Sequence, residues 1–570
     1  MPEIYQIKES EVTDTPLVLF ECRLFDGTIE HWSTHRVTWN GAEYSPRVVK
    51  YNSFDLVIPG EDETGTGGRL VLIMSNVDSR FSQLERSVGL KGAKLTATFV
   101  FFDLETGQAT SPGVVLFRGD GSSINELTES HARLTFQSRL SFHRNYLPTV
   151  RVQRRCPWLF PSDASQRAEA VTGGEKGRYS PFYACGYSAD LSGGSGNLDG
   201  TQPFTSCNYT REDCELRGMF RRDALDRTTG RFGGMELLPS ASGTSQWQTP
   251  GQPEAAEYLP IVYGTCWVQA RVAFARNDQE VTHIGAAVCV GPIQGVLKVV
   301  VNKTELPVFD GARDQHATGA YRVTTLGERN GNLTGTYVDS QGTPIDGPHG
   351  GIAYLELTLP RGVSAIGQVP RVDVLVQGLR LPRYDMLGAA LGESFTANPV
   401  WVLLDVLRRT GWSLDDIDVS SFASKAQYCD ETIAVKDLQG NDVFVPRFQC
   451  NLSIAKRRSV SELLRGLRLS CGLFVVCGAD GKLQASIEGA MGVQQPSKPW
   501  TSNSVSPLGG GWPAYEFGDG TNGTSGIVRL ADGTPSIRMW ARTAADVPNR
   551  LRLEFEDEFN LYQRDSLSLA

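Results

Sequence analysis

From residue 15 to about residue 140 the chain alternates short apolar runs with turn-forming clusters. LVLFECRLF, RLVLIMS, LTATFVFFDL, GVVLFRG and ARLTFQSRL are rich in β-branched and aromatic residues, and Gly, Asn and Asp punctuate them. This spacing predicts a small barrel or sandwich over residues 1–150. In WNGAEYSP, Asn40-Gly41 predicts a hairpin turn, because both residues tolerate the positive φ of a type I′ turn. The strand pattern returns in LKVVVNKTELPVF, AYLELTLP and RVDVLVQGLRLP, which predicts a second β-rich domain over 255–395. The period then changes to that of a helix. Asn398 and Pro399 form an N-cap and first-turn proline before Val400, Leu403, Leu404 and Leu407, and Gly411 follows as a stop, within a helical region at 396–430. Ser459 and Glu462 make a capping box before Leu463, Leu464 and Leu467, and Gly472 closes that helix, at 458–472. A hairpin about Asp480-Gly481 completes an α/β domain over 396–500. Residues 501–570 read as a long loop followed by terminal strands.

Residues 151–240 break these patterns. Periodicity is lost, Gly and Ser accumulate in GGSGNLDGTQ, and four cysteines fall within about sixty residues. A segment so poor in apolar residues must be held by something other than a core. The stretch 241–254 reads as a linker. The fold class expected is therefore mainly β with α+β domains: several small barrel or sandwich domains plus a cysteine-rich, metal-stapled segment.

Composition narrows the function. Sixty Gly and 29 Pro in 570 residues suit a turn-rich β protein. The net charge of −9 disfavours a nonspecific duplex-DNA binder. No run approaches about 18 apolar residues, so no membrane-spanning helix is expected. The polar start MPEIYQIKESEVTD does not read as a signal peptide, which points to folding in a reducing cytoplasm.

Hydrolase and nucleotide motifs such as HExxH, GxSxG and the Walker A sequence are absent. His31 and His35 are four apart in a strand-rich region, with no expected carboxylate partner. The GTGG at 65–68 reads as a turn. The informative set is Cys156, Cys185, Cys207 and Cys214, spaced C-x28-C-x21-C-x6-C. Four thiolates suit an iron–sulfur cluster or zinc, and the lack of tight C-x2-C pairs leans towards a cluster. Cys22, Cys266, Cys289, Cys429, Cys450, Cys471 and Cys477 read as packing residues.

Two stretches carry a resemblance. CPWLF, YACGY, CNYTREDC and RFGGM, over 156–235, resemble the cysteine-rich region of the minor tail-tip protein of lambdoid, long-tailed phages. LPIVYG, GGIAYLELTLP, VPRVDVLVQGLRLP, NPVWVLLDVLRRTGW, AQYCDETI, PRFQCNLSI, CGLFVVCGADGKL and RTAADVPNRLRLEFEDEFNLYQRD occur in that order over 255–565. They resemble the N-terminal half of the central tail-tip protein of the same phages. The insert between the second and third cysteines departs from the first pattern.

The resemblance implies a structural hub of a phage tail tip or baseplate, two neighbouring tip proteins fused, and not an enzyme. It implies a 4Fe-4S cluster on Cys156, Cys185, Cys207 and Cys214, with structural zinc as the alternative. The hub domains would form a homotrimer that closes the tail tube around the tape-measure protein. It would contact the distal tail or tube protein and carry a separate central fibre or receptor-binding protein, since the chain stops at Ala570. Phage DNA would pass through the lumen without specific binding, with no stable membrane insertion. The expected location is the virion tail tip, assembled in the bacterial cytoplasm. An iron–sulfur redox enzyme and a virion-associated cell-wall hydrolase are the competing readings.

Overall fold

The computed structural model describes residues 14–52, 68–103, 105–139, 145–189, 202–222, 228–235, 258–277, 281–309, 319–332, 347–360, 370–437, 439–478, 480–488, 517–518, 525–526 and 551–569. The linker at 241–254, most of the GTGG turn, most of the long loop after 501 and the insert after the second cysteine lie outside them. The chain divides into two compact units: residues 1–433 with 445–486, and residues 434–444 with 487–570. As the strand patterns predict, it is mainly β.

In the first unit, the N-terminal sheet runs in the order Val37–Trp39, Ala42–Pro46, Ile29–Ser33, Thr15–Arg23, Lys94–Asp103, Val114–Gly121, His131–Ser138, Arg69–Ser75 and Val48–Tyr51. Ala42–Pro46 lies near one end of this order and Val48–Tyr51 at the other, yet only Arg47 separates them in the chain. The sheet must therefore curl until its ends meet, as in a barrel. Arg47 is fixed at that junction by two hydrogen bonds to Asp78, at 3.0 and 2.7 Å. Period-two alternation sends Leu70, Leu72 and Met74 inward with Phe20, Trp32 and Phe136. Phe81 and Leu84 of α1 (Arg80–Ser87) join that core. Asn40 and Gly41 have φ of 48° and 79°, so the predicted turn forms between Trp39 and Ala42. His31 does have a carboxylate neighbour, Glu21 at 4.0 Å, contrary to expectation, because Glu21 lies opposite it across the strand pair.

The described residues between 258 and 395 supply two facing sheets. One runs Thr265–Gln269, Val372–Tyr384, Ile293–Val301 and Thr304–Leu306. The other runs Arg271–Asn277, Val281–Val290, Ile352–Pro360 and Ala320–Leu326. Val268, Val299, Val374 and Val376 from the first meet Ile284, Val288, Leu355 and Leu357 from the second in one continuous core.

The cysteine-rich segment has little regular structure among its described residues: α2 (Ala164–Thr172), a 3₁₀ turn (Gly174–Tyr179), α3 (Arg211–Leu216) and a short antiparallel strand pair, Phe220–Arg222 with Thr228–Gly230. The helical region predicted at 396–430 is two helices, α4 (Pro399–Arg409) and α5 (Val419–Asp430). Gly411, at φ 96°, ends the first. The helix predicted at 458–472 is α6 (Val460–Cys471), with the predicted Ser459 N-cap and Gly472 beyond its end at φ 67°. Asn398 caps α4 by accepting from the Val400 N–H at 2.9 Å, and its amide donates to the Ala426 carbonyl of α5 at 2.9 Å. Asn398→Ala should cost about 1–2 kcal/mol, since it removes the cap and leaves a buried carbonyl unpaired. The midpoint of denaturant unfolding measures this.

α4 is buried all round from Pro399 to Arg408, beyond the predicted apolar face. Its Asp405 side chain is fully buried at the meeting of three segments. Arg178 donates to it at 2.9 Å and Tyr179 at 2.7 Å from the 3₁₀ turn. Tyr263 donates at 2.7 Å from a neighbouring strand, and Arg409 at 2.6 Å from α4 itself. Burial would raise its pKa, but the Arg409 and Arg178 charges override that and hold the carboxyl well below the usual carboxylate range. This network clamps the cysteine-rich segment to α4 and the sandwich.

In the second unit, Leu551–Asp557 pairs antiparallel with Gln563–Leu569. No helix among the described residues is long and apolar enough to cross a membrane.

Candidate metal centre

The four predicted cysteines come together. Cys156, Cys185, Cys207 and Cys214 line one cavity with Trp158, Phe160, Tyr209 and Met219. They arrive from separate loops, apart from Cys214, which sits on α3. Thr210 caps α3 by accepting from the Asp213 N–H at 3.3 Å. Cys156 is tied to the third motif by its own N–H, which donates to the Tyr209 carbonyl at 2.8 Å. The core beneath is small: Phe160, Tyr187 and Met219 are its buried members, and Cys185, Cys207 and Cys214 pack against them. This is the deficit the composition predicts. A cluster this small does little to order so long a segment against its chain entropy.

The surroundings of the sulfurs are specific. The Gly233 N–H donates to Cys156 Sγ at 3.4 Å and the Tyr209 N–H to Cys207 Sγ at 3.3 Å. Backbone N–H groups of Trp158 and Gly234 also reach Cys156, and that of Tyr187 reaches Cys185. Arg217 and Arg231 add positive charge to the cavity wall. Arg217 is held over Phe204, 4.6 Å from the ring centroid, and bridges to Asp213 at 3.3 Å. Arg231 donates to the Gly186 carbonyl at 2.9 Å. Burial, first, and the neighbouring thiols push the Cys185 thiol up to about 12, while burial raises Cys156 to about 11. Cys207 and Cys214 are raised as well, again mainly by burial.

Bare, these groups are protonated thiols in an apolar pocket. Amide donors and guanidinium charge aimed at sulfur are the arrangement that stabilises a thiolate-ligated metal group carrying net negative charge. The donor set therefore fits a soft metal group. Among the described residues, no three Cys, His, Asp or Glu side chains stand close enough to share a single ion.

The cysteines are legible in the sequence, whereas the amide donors and Arg217 are not. Gly233, Gly234 and Arg231 lie in the RFGG run, which was the available signal. Gly186 has a structural duty of its own. It follows Cys185 at φ 60°, and a Cβ there would collide with the guanidinium groups of Arg231 and Arg329. Gly186→Ala should cost more than about 1–2 kcal/mol, the left-handed conformation alone accounting for that much. A drop in thermal midpoint measures it.

The remaining cysteines are elsewhere. Cys22, Cys266, Cys289, Cys429 and Cys471 are buried, as expected of packing residues, and Cys450 is half-buried. Cys477 is exposed, a correction to its reading as core, because it ends its strand at the rim of the hairpin.

No protein-family model matches the chain, and no curated protein matches it. Among solved structures it is similar to a chain of "Virion of native gene transfer agent (GTA) particle", with 13% identity and a TM-score of 0.33, over 59% of this chain and 69% of that one.

Proposed function

We propose that this chain is the structural hub of a phage-type tail tip, with Cys156, Cys185, Cys207 and Cys214 holding a structural 4Fe-4S cluster. One observation carries the reading: the four cysteines marked by the CPW, CGY and CNYTREDC motifs share one cavity, and backbone amides of the RFGG run point at the Cys156 sulfur. The cluster would cross-link loops that have too small a core to fold alone, so its binding free energy would become folding free energy. The barrel, the sandwich and the helices around α4 supply the rigid body to which that segment is clamped. In this role the chain forms a trimer at the distal end of the tail tube, contacts the tube and tape-measure proteins, and carries a separate fibre or receptor-binding protein. DNA passes through the ring without being bound specifically.

The test of the metal assignment is anaerobic purification followed by iron, sulfide and zinc analysis. Iron and acid-labile sulfide with a broad absorbance near ~400 nm are expected. Colourless protein with stoichiometric zinc replaces the cluster by a zinc site.

A further inference from the structure

Of the four cysteines around the cavity, Cys207 is the one whose chain neighbours on both sides, Ser206 and Asn208, are exposed. No helix or strand carries it. It is nonetheless held from both sides. The Arg217 guanidinium donates to the Ser206 carbonyl through Nε, at 3.1 Å, and also through Nη2. The Asp213 carboxylate accepts from the Asn208 N–H at 2.5 Å. Asp213 and Arg217 are themselves ion-paired at 3.3 Å, four residues apart, and Cys214 lies between them in the chain. We propose that this pair is a clamp that positions Cys207 against Cys214 for metal binding. The proposal rests on the metal reading given above.

Tyr209 shows what the clamp holds. It is at φ 63°, a left-handed conformation that is costly for a tyrosine and persists only where its surroundings fix it. In that conformation its N–H donates to Cys207 Sγ at 3.3 Å, and its carbonyl accepts from the Cys156 N–H at 2.8 Å. Gripping Ser206 and Asn208 keeps this turn closed around the sulfur. Arg217 is itself immobilised. The rings of Phe204 and Phe160 lie 4.6 and 5.5 Å from its guanidinium, and Nη1 donates to the Asp213 carbonyl at 2.8 Å. One planar fork therefore reaches Ser206 and both oxygen types of Asp213 at once, which the point charge of a lysine does not reproduce. Groups that orient the ligands from behind typically change metal affinity by about 10–100-fold when removed.

The full chain, purified anaerobically as wild type, Arg217→Lys, Arg217→Gln and Glu212→Gln, tests this. Arg217→Lys keeps the charge and loses the fork. Glu212 is an exposed residue of α3, so its variant controls for a charge change on the same helix. Release of metal to excess EDTA should be roughly tenfold or more faster in both Arg217 variants than in wild type, and unchanged in Glu212→Gln. With a cluster bound, the reduction potential of Arg217→Lys should also lie below that of wild type. The Tyr209 N–H would no longer support the more negative reduced state, and a purely structural role would leave the potential unmoved. Circular dichroism checks that each variant keeps its β fold. Wild type that carries no metal overturns the metal reading and the clamp with it. Wild type that carries metal, with Arg217→Lys unchanged in release rate or in potential, overturns the clamp alone; for zinc, the release rate decides.

Discussion

Asp405→Ala is expected to destabilise the first unit by about 3–5 kcal/mol, the range for removing one partner of a buried charge network. The reason is what remains. Arg409 would keep its charge with no carboxylate beside it, Arg178 would be left with Glu393 alone, at 3.2 Å, and the Tyr179 and Tyr263 hydroxyls would lose their acceptor. Asp405→Asn keeps the shape and part of the hydrogen bonding, so its loss should be smaller but of the same sign. The pH dependence follows from the direction of the shift. A carboxyl whose folded pKa is depressed contributes its full stability above its unfolded value, near ~4, and loses it as pH falls towards the folded value. Wild-type stability should therefore fall as pH drops below about 4, more steeply than in Asp405→Asn. Denaturant midpoints across that range check both statements.

Cys185→Ser should have the second large effect, and on a different observable. Removing one of four ligands is expected to abolish or sharply reduce the absorbance near ~400 nm and to unlock residues 151–235, because metal binding supplies folding energy there. The structure adds a reason for choosing Cys185. Its successor Gly186 is held by Arg231, and Arg329 donates to the Tyr183 carbonyl just before it and to the Val171 and Ala170 carbonyls at the end of α2. Loosening this loop should spread through that set of contacts. Limited proteolysis should cut the variant between 151 and 235 while leaving the barrel intact. A variant as resistant as wild type, with unchanged colour, removes Cys185 from the ligand set.

The features that were legible in the sequence depend on neighbouring residues. Asn40-Gly41, the Asn398 and Ser459 caps, and Gly472 each act within a turn of the chain, so their residue types are enough to place them. Features that depend on distant partners were not legible. Asp405 reads as one polar position on an amphipathic helix, because its partners Arg178, Tyr179 and Tyr263 lie more than a hundred residues away in the chain. The all-round burial of α4 was hidden for the same reason, since it depends on the 3₁₀ turn and the sandwich enclosing the polar side of the helix. Cys477 misled because an apolar strand neighbourhood says nothing about which residue ends at the rim. The cysteine set was readable as a set, since four cysteines in a glycine-rich stretch contradict a core. The amide donors to sulfur were not readable, because backbone groups leave no residue signature.

The most direct measurement is a cryo-EM map of the tail end of the particle that carries this chain. The account predicts a threefold ring of the chain at the distal end of the tube, with strong non-protein density enclosed by Cys156, Cys185, Cys207 and Cys214. Finding the chain in the capsid or absent from the particle would contradict the assignment as a tail-tip hub, and four unbridged thiols in a well-ordered segment would contradict the structural cluster.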